Sequence, residues 1–462
     1  MTTQAASPVV HTAPSGTRRV AVIGAGAAGL CAARHLLARG VAVVVYELGS
    51  QVGGLWVYNN DSGLSPAYAS LHLNSEARVT AYQDFPFPEG GPLYPDHRQV
   101  HQYLASYADT FGVTPHIRFR SRVADISPQA AGRWRVTLAD GASDDFDAVV
   151  VGTGHQGSPA HPDWRADFQG EYLHAHSYRV PEPFRDKRVL VVGVGNSAVD
   201  IAADICVVAQ STFISARSPV LMMPRMLFGV PTSRVLARLE KSWMPWPLRR
   251  TIRETLTRIV HGRMEQWGFV TPKSRTHPTS HPSLMSHFVW DRIKAKPGID
   301  SVQGKEVRFV DGSRETFDTV IAATGYHVDL PFLAPALRPL DGHRLDLFLR
   351  VIHPKCPSLY FVGMFNVAGG GNIRMMDDQA QWVTELVTGA MAPPDEATIR
   401  AAMAAEQAFL RKHYPAAPRY ALELDPVFYR GQLAREHQRA RQRRPALATV
   451  MSAPLPSSKQ GN

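Results

Sequence analysis

Short apolar runs alternate with amphipathic stretches along much of the chain. A first unit has the apolar spacing of a strand at 18–24, a helix at 27–39 and a strand at 41–47. The same order returns in a second unit, at 187–193, 197–209 and 211–217. Strands that alternate with helices in this way build parallel, doubly wound sheets. The pattern therefore predicts an α/β fold that contains two related β-α-β units.

A glycine-rich turn follows the first strand of each unit. The first turn comprises Gly24, Ala25, Gly26, Ala27, Ala28 and Gly29, and the second contains Gly193, Gly195, Asn196, Ser197 and Ala198. In this spacing the first glycine makes the bend, and the second lets the backbone approach a pyrophosphate. The last small residue lets the helix pack closely on the strand, and the pyrophosphate binds the amides at the helix N-terminus. Each turn therefore predicts a dinucleotide site.

The residue that ends the second strand of each unit indicates which dinucleotide binds there. Glu47 follows Gly24 by 23 residues, where a carboxylate accepts hydrogen bonds from an adenosine ribose. Arg217 follows Gly193 by 24 residues, and a guanidinium there can bind the 2′-phosphate of NADPH. We therefore expect FAD in the first unit and NADPH in the second.

Two further apolar strands end in Thr-Gly, at Thr153-Gly154 and Thr324-Gly325. Glycine there lets the chain pass close to a cofactor or cross to a neighbouring domain. The order of these strands and the two glycine-rich turns predicts nested Rossmann-like domains, the NADPH domain being inserted in the FAD domain. The expected divisions are a disordered tail at 1–17, an FAD domain at 18–165 and 326–395, an NADPH domain at 166–325, C-terminal helices at 396–438 and a disordered tail at 439–462.

Residues 219–290 interrupt the pattern as an insert in the NADPH domain. The insert is rich in Met, Trp, Leu and Arg, and it has helical spacing at Leu248–His261. A substrate lid, a membrane-surface segment and a helical cover on the core all fit this composition.

Composition excludes several other classes of protein. With 44% hydrophobic and 19% charged residues the chain is typical of a globular protein. No apolar run has the length of a membrane span, and the start lacks the pattern of a signal peptide, so we expect a cytoplasmic protein. The three cysteines form no Cys-x-x-Cys pair, which argues against a disulfide reductase. The 19 histidines have no metal-ligand spacing, and we expect no metal site.

The net charge of +10 is concentrated in two regions. Residues 217–275 hold 12 Lys or Arg against 3 Glu, and residues 430–462 hold 7 against 1. Such regions can bind nucleic acid or an anionic membrane. A solvated surface that also attracts an anionic dinucleotide is the favoured interpretation. We therefore expect no nucleic-acid partner, and peripheral membrane contact is the less favoured alternative.

One motif has a specific resemblance. The segment from Phe168 to Tyr178, Phe-Gln-Gly-Glu-Tyr-Leu-His-Ala-His-Ser-Tyr, matches the pattern Phe-x-Gly-x-x-x-His-x-x-x-Tyr/Phe. Through this motif the chain resembles the class B flavin-dependent monooxygenases, and within that class the flavin-containing monooxygenase family. The resemblance covers roughly residues 18–395. The resemblance implies that this motif links the two domains and controls their orientation.

Further segments carry the same resemblance. It implies that Leu55 and Trp56 line the flavin, and that the stretch 68–75 forms the active site and ends in Asn74 and Ser75. Asn74 would be the catalytic side chain, its amide donating to a flavin C4a-hydroperoxide or to the NADP carboxamide. The chain departs from the family pattern at His72, where a small residue is usual, so the shape of its substrate pocket is left open.

The implied reaction belongs chiefly to the cofactors. NADPH would reduce FAD, O₂ would form a C4a-hydroperoxide, and one oxygen atom would pass to a nitrogen or sulfur of a lipophilic small molecule. The Baeyer–Villiger branch usually has Trp where this chain has Tyr178. Baeyer–Villiger or other carbon-centred oxygenation stays as the alternative, and a non-enzymatic flavoprotein is a weaker one.

Overall fold

The structure is a computed structural model, and it describes residues 17–241, 243–341, 344–367, 371–415 and 418–451. The predicted N-terminal tail lies outside the described residues except for Thr17, and so do residues 452–462 of the predicted C-terminal tail.

Within the residues that the structure describes, ten α-helices and two main sheets form the framework. The helices are α1 (Ala27–Leu37), α2 (Ala77–Thr80), α3 (His97–Thr110), α4 (Asn196–Ile205), α5 (Thr232–Leu239), α6 (Trp246–His261), α7 (Leu284–Val289), α8 (Asn372–Val387), α9 (Glu396–His413) and α10 (Pro426–Met451). The main-sheet strands are β1 (Arg19–Ile23), β2 (Ala42–Tyr46), β3 (Ile117–Arg118), β4 (Ala148–Val151), β5 (Glu171–His174), β6 (Arg188–Val192), β7 (Ser211–Ala216), β8 (Ile293–Pro297), β9 (Thr319–Ala322), β10 (Ile352–His353) and β11 (Cys356–Phe361).

The first sheet has the strand order β10-β11-β4-β1-β2-β3 and is parallel except for the β10–β11 pair. Successive residues of β1 point to opposite faces, and both faces are covered. Val20 and Val22 belong to a core with α1, α3 and α8, whereas Ala21 and Ile23 belong to a second core. Burial on both sides explains why the strand is an unbroken apolar run.

The second sheet has the order β8-β7-β6-β9-β5, and all its strands are parallel. Its strands lie between residues 171 and 322, inside the sequence interval that separates β4 from β10. The molecule is therefore an α/β protein in which one doubly wound unit is inserted into another.

Two antiparallel three-stranded sheets accompany the main sheets. The first comprises Val123–Pro128, Trp134–Leu138 and Ser143–Phe146, and the second comprises Ile299–Gln303, Glu306–Phe309 and Arg314–Thr316. The other strands of the described residues form four two-stranded pairs, namely Ser158–Pro159 with Tyr326–His327, Met226–Leu227 with Val230–Pro231, Leu340–Asp341 with Arg344–Leu345, and Asn366–Val367 with Glu423–Leu424.

The outgoing and returning chains are joined where they pass between the two units. Ser158–Pro159 pairs with Tyr326–His327. Beside this pair the Ala160 amide donates to the Gly325 carbonyl at 2.9 Å, and the Thr324 hydroxyl donates to the Ala160 carbonyl at 2.5 Å. The Thr-Gly segment that follows β9 therefore links the two chain segments that connect the units.

The last helix differs from the sequence-based expectation. It runs to Met451, so helix continues beyond residue 439, where the composition predicts a tail. Ala and Arg, both good helix formers, are frequent in this part of α10, although Pro445 also lies in it. Among the described helices, none has the length and apolar character needed to cross a bilayer.

Candidate dinucleotide and active site

The first glycine-rich turn joins β1 to α1, and its three glycines differ in their surroundings. Gly24 has φ of +99°, and a Cβ on it would lie 2.9 Å from the Gly152 carbonyl oxygen. A Cβ on Gly29 would lie 1.8 Å from the Gly24 carbonyl oxygen. At Gly26, however, the nearest atom to a Cβ would be the Gly54 Cα at 3.6 Å. Gly24 and Gly29 therefore satisfy packing, whereas Gly26 keeps a backbone surface open.

Glu47 lies at the end of β2 beside this turn. Its carboxylate is buried and accepts hydrogen bonds from the Ala25 amide at 2.6 Å and the Gly49 amide at 2.7 Å. Each oxygen has more than one lone pair, so both can also accept a hydroxyl. The geometry fits a carboxylate that closes the turn and receives a ribose.

The second turn joins β6 to α4 in the same way. Gly193 has φ of +121°, and a Cβ on it would lie 2.4 Å from the Ala323 carbonyl oxygen. A Cβ on Gly195 would meet nothing within 4 Å. Asn196 is the first helical residue, and its side chain accepts a hydrogen bond from the Ser280 amide at 3.3 Å. This turn too presents open backbone at the start of a helix, where anions bind.

Arg217 follows β7, and its exposed side chain lines the cavity beside the second turn. Its backbone and stem pack over Gly298, where a Cβ would lie 3.4 Å from the Arg217 Cα. Among the described residues, no protein carboxylate forms an ion pair with Arg217. The guanidinium is therefore available to an anionic ligand.

Both turns open into one cavity of about 2350 Å³. Pockets that hold one drug-sized ligand have roughly 300–1000 Å³, so this cavity is large enough for more than one such group. Of the residues that the sequence predicts as site residues, those on its wall are Gly24, Gly26, Ala27, Ala28, Glu47, Leu55, Trp56, Asn74, Ser75, Thr153, Gly193, Gly195, Asn196, Ser197, Ala198, Arg217, Thr324 and Gly325. Ala25 and Gly29 lie beneath the turn instead, Ala25 as the donor to Glu47 and Gly29 in the packing of α1.

Asn74 has an exposed side chain on the wall of the cavity. Its Oδ1 accepts a hydrogen bond from the Arg225 Nη2 at 3.0 Å. Arg225 comes from the insert, in which the sequence shows no motif, and sequence reasoning missed it. A partner 151 residues away leaves no local signal.

Two carboxylates on α4 connect the predicted active-site stretch to the second unit. The Tyr68 hydroxyl donates to Asp200 at 2.7 Å, and the Ser70 hydroxyl donates to Asp204 at 2.9 Å. The Tyr178 hydroxyl, at the end of the sequence motif, donates to the same Asp204 oxygen at 2.5 Å. Because α4 begins at the second glycine-rich turn, these contacts fix that turn relative to the stretch that carries Asn74.

His174, in the middle of the motif, is buried rather than free to react. Its ring lies edge-on to Tyr326, and its Nδ1 accepts a hydrogen bond from the His176 amide at 3.1 Å. Burial lowers the pKa of His174 to about 4, so the imidazole is neutral at physiological pH. These contacts fit a residue that links the domains.

Comparisons with known proteins agree with this geometry. The family model described as flavin-binding monooxygenase-like matches residues 17–446. Flavin-containing monooxygenase 5 of Oryctolagus cuniculus is 30% identical over 433 residues, which cover 89% of this chain and 81% of the relative. Flavin-containing monooxygenase 5 of Homo sapiens is 29% identical over 441 residues, which cover 90% of this chain and 82% of the relative.

Two solved structures have the same fold. S-allyl-L-cysteine S-oxygenase from Allium sativum has a TM-score of 0.68 and 26% identity, and the match covers 91% of this chain and 88% of that one. Cyclohexanone monooxygenase from Rhodococcus sp. Phi1, bound to NADP⁺, has a TM-score of 0.69 and 17% identity, and the match covers 92% and 98%. The chain belongs to the flavin-containing monooxygenase family, and it is an FAD- and NADPH-dependent monooxygenase.

Proposed function

We propose that this enzyme transfers one oxygen atom of O₂ to a nitrogen or sulfur atom of a lipophilic small molecule. The observation that carries the proposal is the similarity to the garlic S-oxygenase, at 26% identity over 91% of the chain. Apolar residues on the cavity wall support a lipophilic substrate, namely Leu71, Leu73, Met223, Leu236 and Ala237. The likeness to cyclohexanone monooxygenase, at 17% identity, bears on the fold alone.

We further propose that the two sheets mark the two cofactor domains. Residues 18–165 and 326–395 would bind FAD, and residues 166–325 would bind NADPH. The division is supported by the sheet order. In the first sheet β11 pairs with β4 and β10 pairs with β11, although the whole second sheet lies between β4 and these two strands in sequence.

The residues have distinct proposed roles. Gly26 and Glu47 would hold FAD through its pyrophosphate and its ribose. Gly195 would hold the pyrophosphate of NADPH, and Arg217 would hold its 2′-phosphate. Bound FAD, with NADPH as its reductant, would supply the activation of O₂. Asn74 donates a hydrogen bond at the reacting end of the flavin. The insert covers the cavity through residues such as Met223 and Leu236, and so excludes water from the reaction.

The test is product analysis under heavy-isotope oxygen gas. The purified enzyme with FAD and NADPH is given a panel of lipophilic tertiary amines, thioethers and cyclic ketones. We expect N-oxides or sulfoxides that each carry one labelled oxygen atom. Labelled esters or lactones from the ketones, with amines and thioethers unchanged, would instead assign Baeyer–Villiger chemistry and overturn the proposal.

A further inference from the structure

Arg225 is the one charged side chain that the structure places within hydrogen-bond distance of Asn74 among the described residues. Its side chain is only 8% exposed. The guanidinium lies 5.4 Å from the centre of the Tyr94 ring, and the Tyr94 hydroxyl donates to the Arg225 carbonyl at 3.1 Å. Arg225 is therefore held at both its backbone and its side chain.

The Arg225 guanidinium fixes the orientation of the Asn74 amide. Arginine has donors and no acceptor, so only the amide oxygen can face it. Within the described residues, no protein group accepts a hydrogen bond from the Asn74 Nδ2. The NH₂ group is consequently the half of the amide that is left for a ligand in the cavity.

Asp200 compensates the charge of Arg225 without competing for Asn74. Its Oδ1 lies 4.0 Å from the Arg225 Nη2, and its other oxygen accepts the Tyr68 hydroxyl. The Arg225 Nη2 is also 3.5 Å from the Ser280 carbonyl. The strongest directional contact of this guanidinium is therefore the 3.0 Å bond to Asn74.

We propose that Arg225 is a positioning residue for oxygenation, which holds the amide oxygen of Asn74 so that its NH₂ group donates into the cavity. The inference rests on the proposed role of Asn74 at the flavin. Arg225 itself need not touch the flavin, and it acts through the orientation of its neighbour. Loss of Arg225 would let the Asn74 amide rotate and lose its donor function.

The test compares Arg225→Met with Asn74→Ala, with the double variant, and with Arg258→Met. Arg258 is an exposed arginine in the same insert and provides a matched control. Each reduced enzyme is mixed with O₂ in the presence of NADP⁺ and without substrate, and the return of oxidised-flavin absorbance is timed. We expect both single variants to speed this return roughly tenfold, the lower end of what loss of a charge-assisted hydrogen bond produces.

The double variant should be no faster than either single variant, because the two residues act through one hydrogen bond. Arg225→Lys, which keeps a cationic donor, should recover part of the wild-type behaviour. Wild-type timing in a folded, FAD-bound Arg225→Met, or effects that multiply in the double variant, would assign Arg225 to structure alone.

Asn74→Asp keeps the proposal testable if Arg225→Met does not hold FAD. This change preserves the acceptor that faces Arg225 and removes the NH₂ donor. We expect oxidised flavin to return as fast as in Asn74→Ala, and wild-type timing would overturn the proposal.

A crystal structure of Arg225→Met without substrate gives a readout that is independent of turnover. Its Asn74 amide should be turned from the wild-type orientation, and an unchanged amide would count against the proposal. Because none of these measurements uses an amine or sulfide, they remain informative if the proposed substrate class fails.

Discussion

Gly26 and Gly195 occupy equivalent positions in the two turns, and neither is required by packing. The nearest atom to a Cβ at Gly26 would be at 3.6 Å, and a Cβ at Gly195 would meet nothing within 4 Å. Their neighbours Gly24 and Gly193 have positive φ and close contacts to backbone carbonyls. A side chain at Gly26 or Gly195 would therefore fill ligand space while leaving the fold intact.

This difference makes the two glycines a matched pair of tests. Gly26→Val should fold but lose FAD, because the valine side chain takes the place of the pyrophosphate. Gly195→Val should keep FAD and lose reduction by NADPH. Flavin content by absorbance and the rate of flavin reduction measure the two effects. Stoichiometric flavin in Gly26→Val would contradict the assignment of this turn.

Arg217 tests the choice of nicotinamide cofactor. A charge-assisted hydrogen bond to phosphate contributes about 1.5–3 kcal/mol, which is roughly ten- to a hundredfold in affinity. The exposed guanidinium has its stem packed on Gly298, so Arg217→Ala should weaken NADPH binding by this factor and leave NADH binding unchanged. Stopped-flow flavin reduction with each cofactor gives the comparison. An equal loss of affinity for NADPH and NADH would assign Arg217 a different role.

At the scale of elements, α4 joins the two units through carboxylates one helical turn apart. Asp204 receives the hydroxyls of Ser70 and Tyr178, and Asp200 receives the hydroxyl of Tyr68. The βαβ units and their glycine-rich turns could be predicted from sequence because apolar periodicity and glycine spacing are local. The contacts of α4 could not, because Tyr68 and Asp200 are 132 residues apart and no local pattern links them.

Asp200 gives a prediction for pH dependence. Burial raises its pKa to about 6 from an ordinary value of 3.8, although the Tyr68 hydrogen bond and the Arg225 charge act in the opposite direction. His281, 3.7 Å away, has a pKa lowered to about 3 by burial and by Arg225, and is neutral. The remaining ionisable neighbours are His72 and Asp204.

Between about pH 4 and pH 6 the folded protein therefore binds a proton that the unfolded chain has released. The Asp200 contribution to the free energy of unfolding is present at low pH and is lost as pH rises through this window. Asp200→Asn should remove that component and flatten the stability profile between pH 4 and 6. Denaturant unfolding at several pH values is the measurement. An identical slope in both proteins would show that Asp200 has an ordinary pKa.

At the scale of the whole molecule, the insert and the C-terminal part of the chain close over the cavity together. Arg249 of α6 is buried between Glu240, at 3.4 Å, and Asp425, at 2.6 Å. His277 lies 3.0 Å from Glu423, and both residues line the cavity. From the sequence alone, the insert could be a substrate lid, a membrane-surface segment or a helical cover on the core. Its helical spacing indicated α6, whereas partners more than a hundred residues away could not be predicted from composition.

Asp425 tests whether this ion-pair cluster keeps the cavity closed. Asp425→Asn removes a charge that faces both Arg249 and Arg275. Breaking a buried ion pair typically lowers the free energy of unfolding by about 3–5 kcal/mol. Because Arg249 keeps its contact with Glu240, we expect a decrease at the lower end of this range or below it. If the cluster seals the cavity, water enters more readily in the variant, and more hydrogen peroxide is released per NADPH consumed.

Asp145→Asn, which breaks an exposed ion pair with Arg135, is the matched control. It should change neither the thermal stability nor the peroxide released per NADPH measurably. Lower thermal stability together with an unchanged peroxide ratio would show that the cluster stabilises the fold without sealing the cavity.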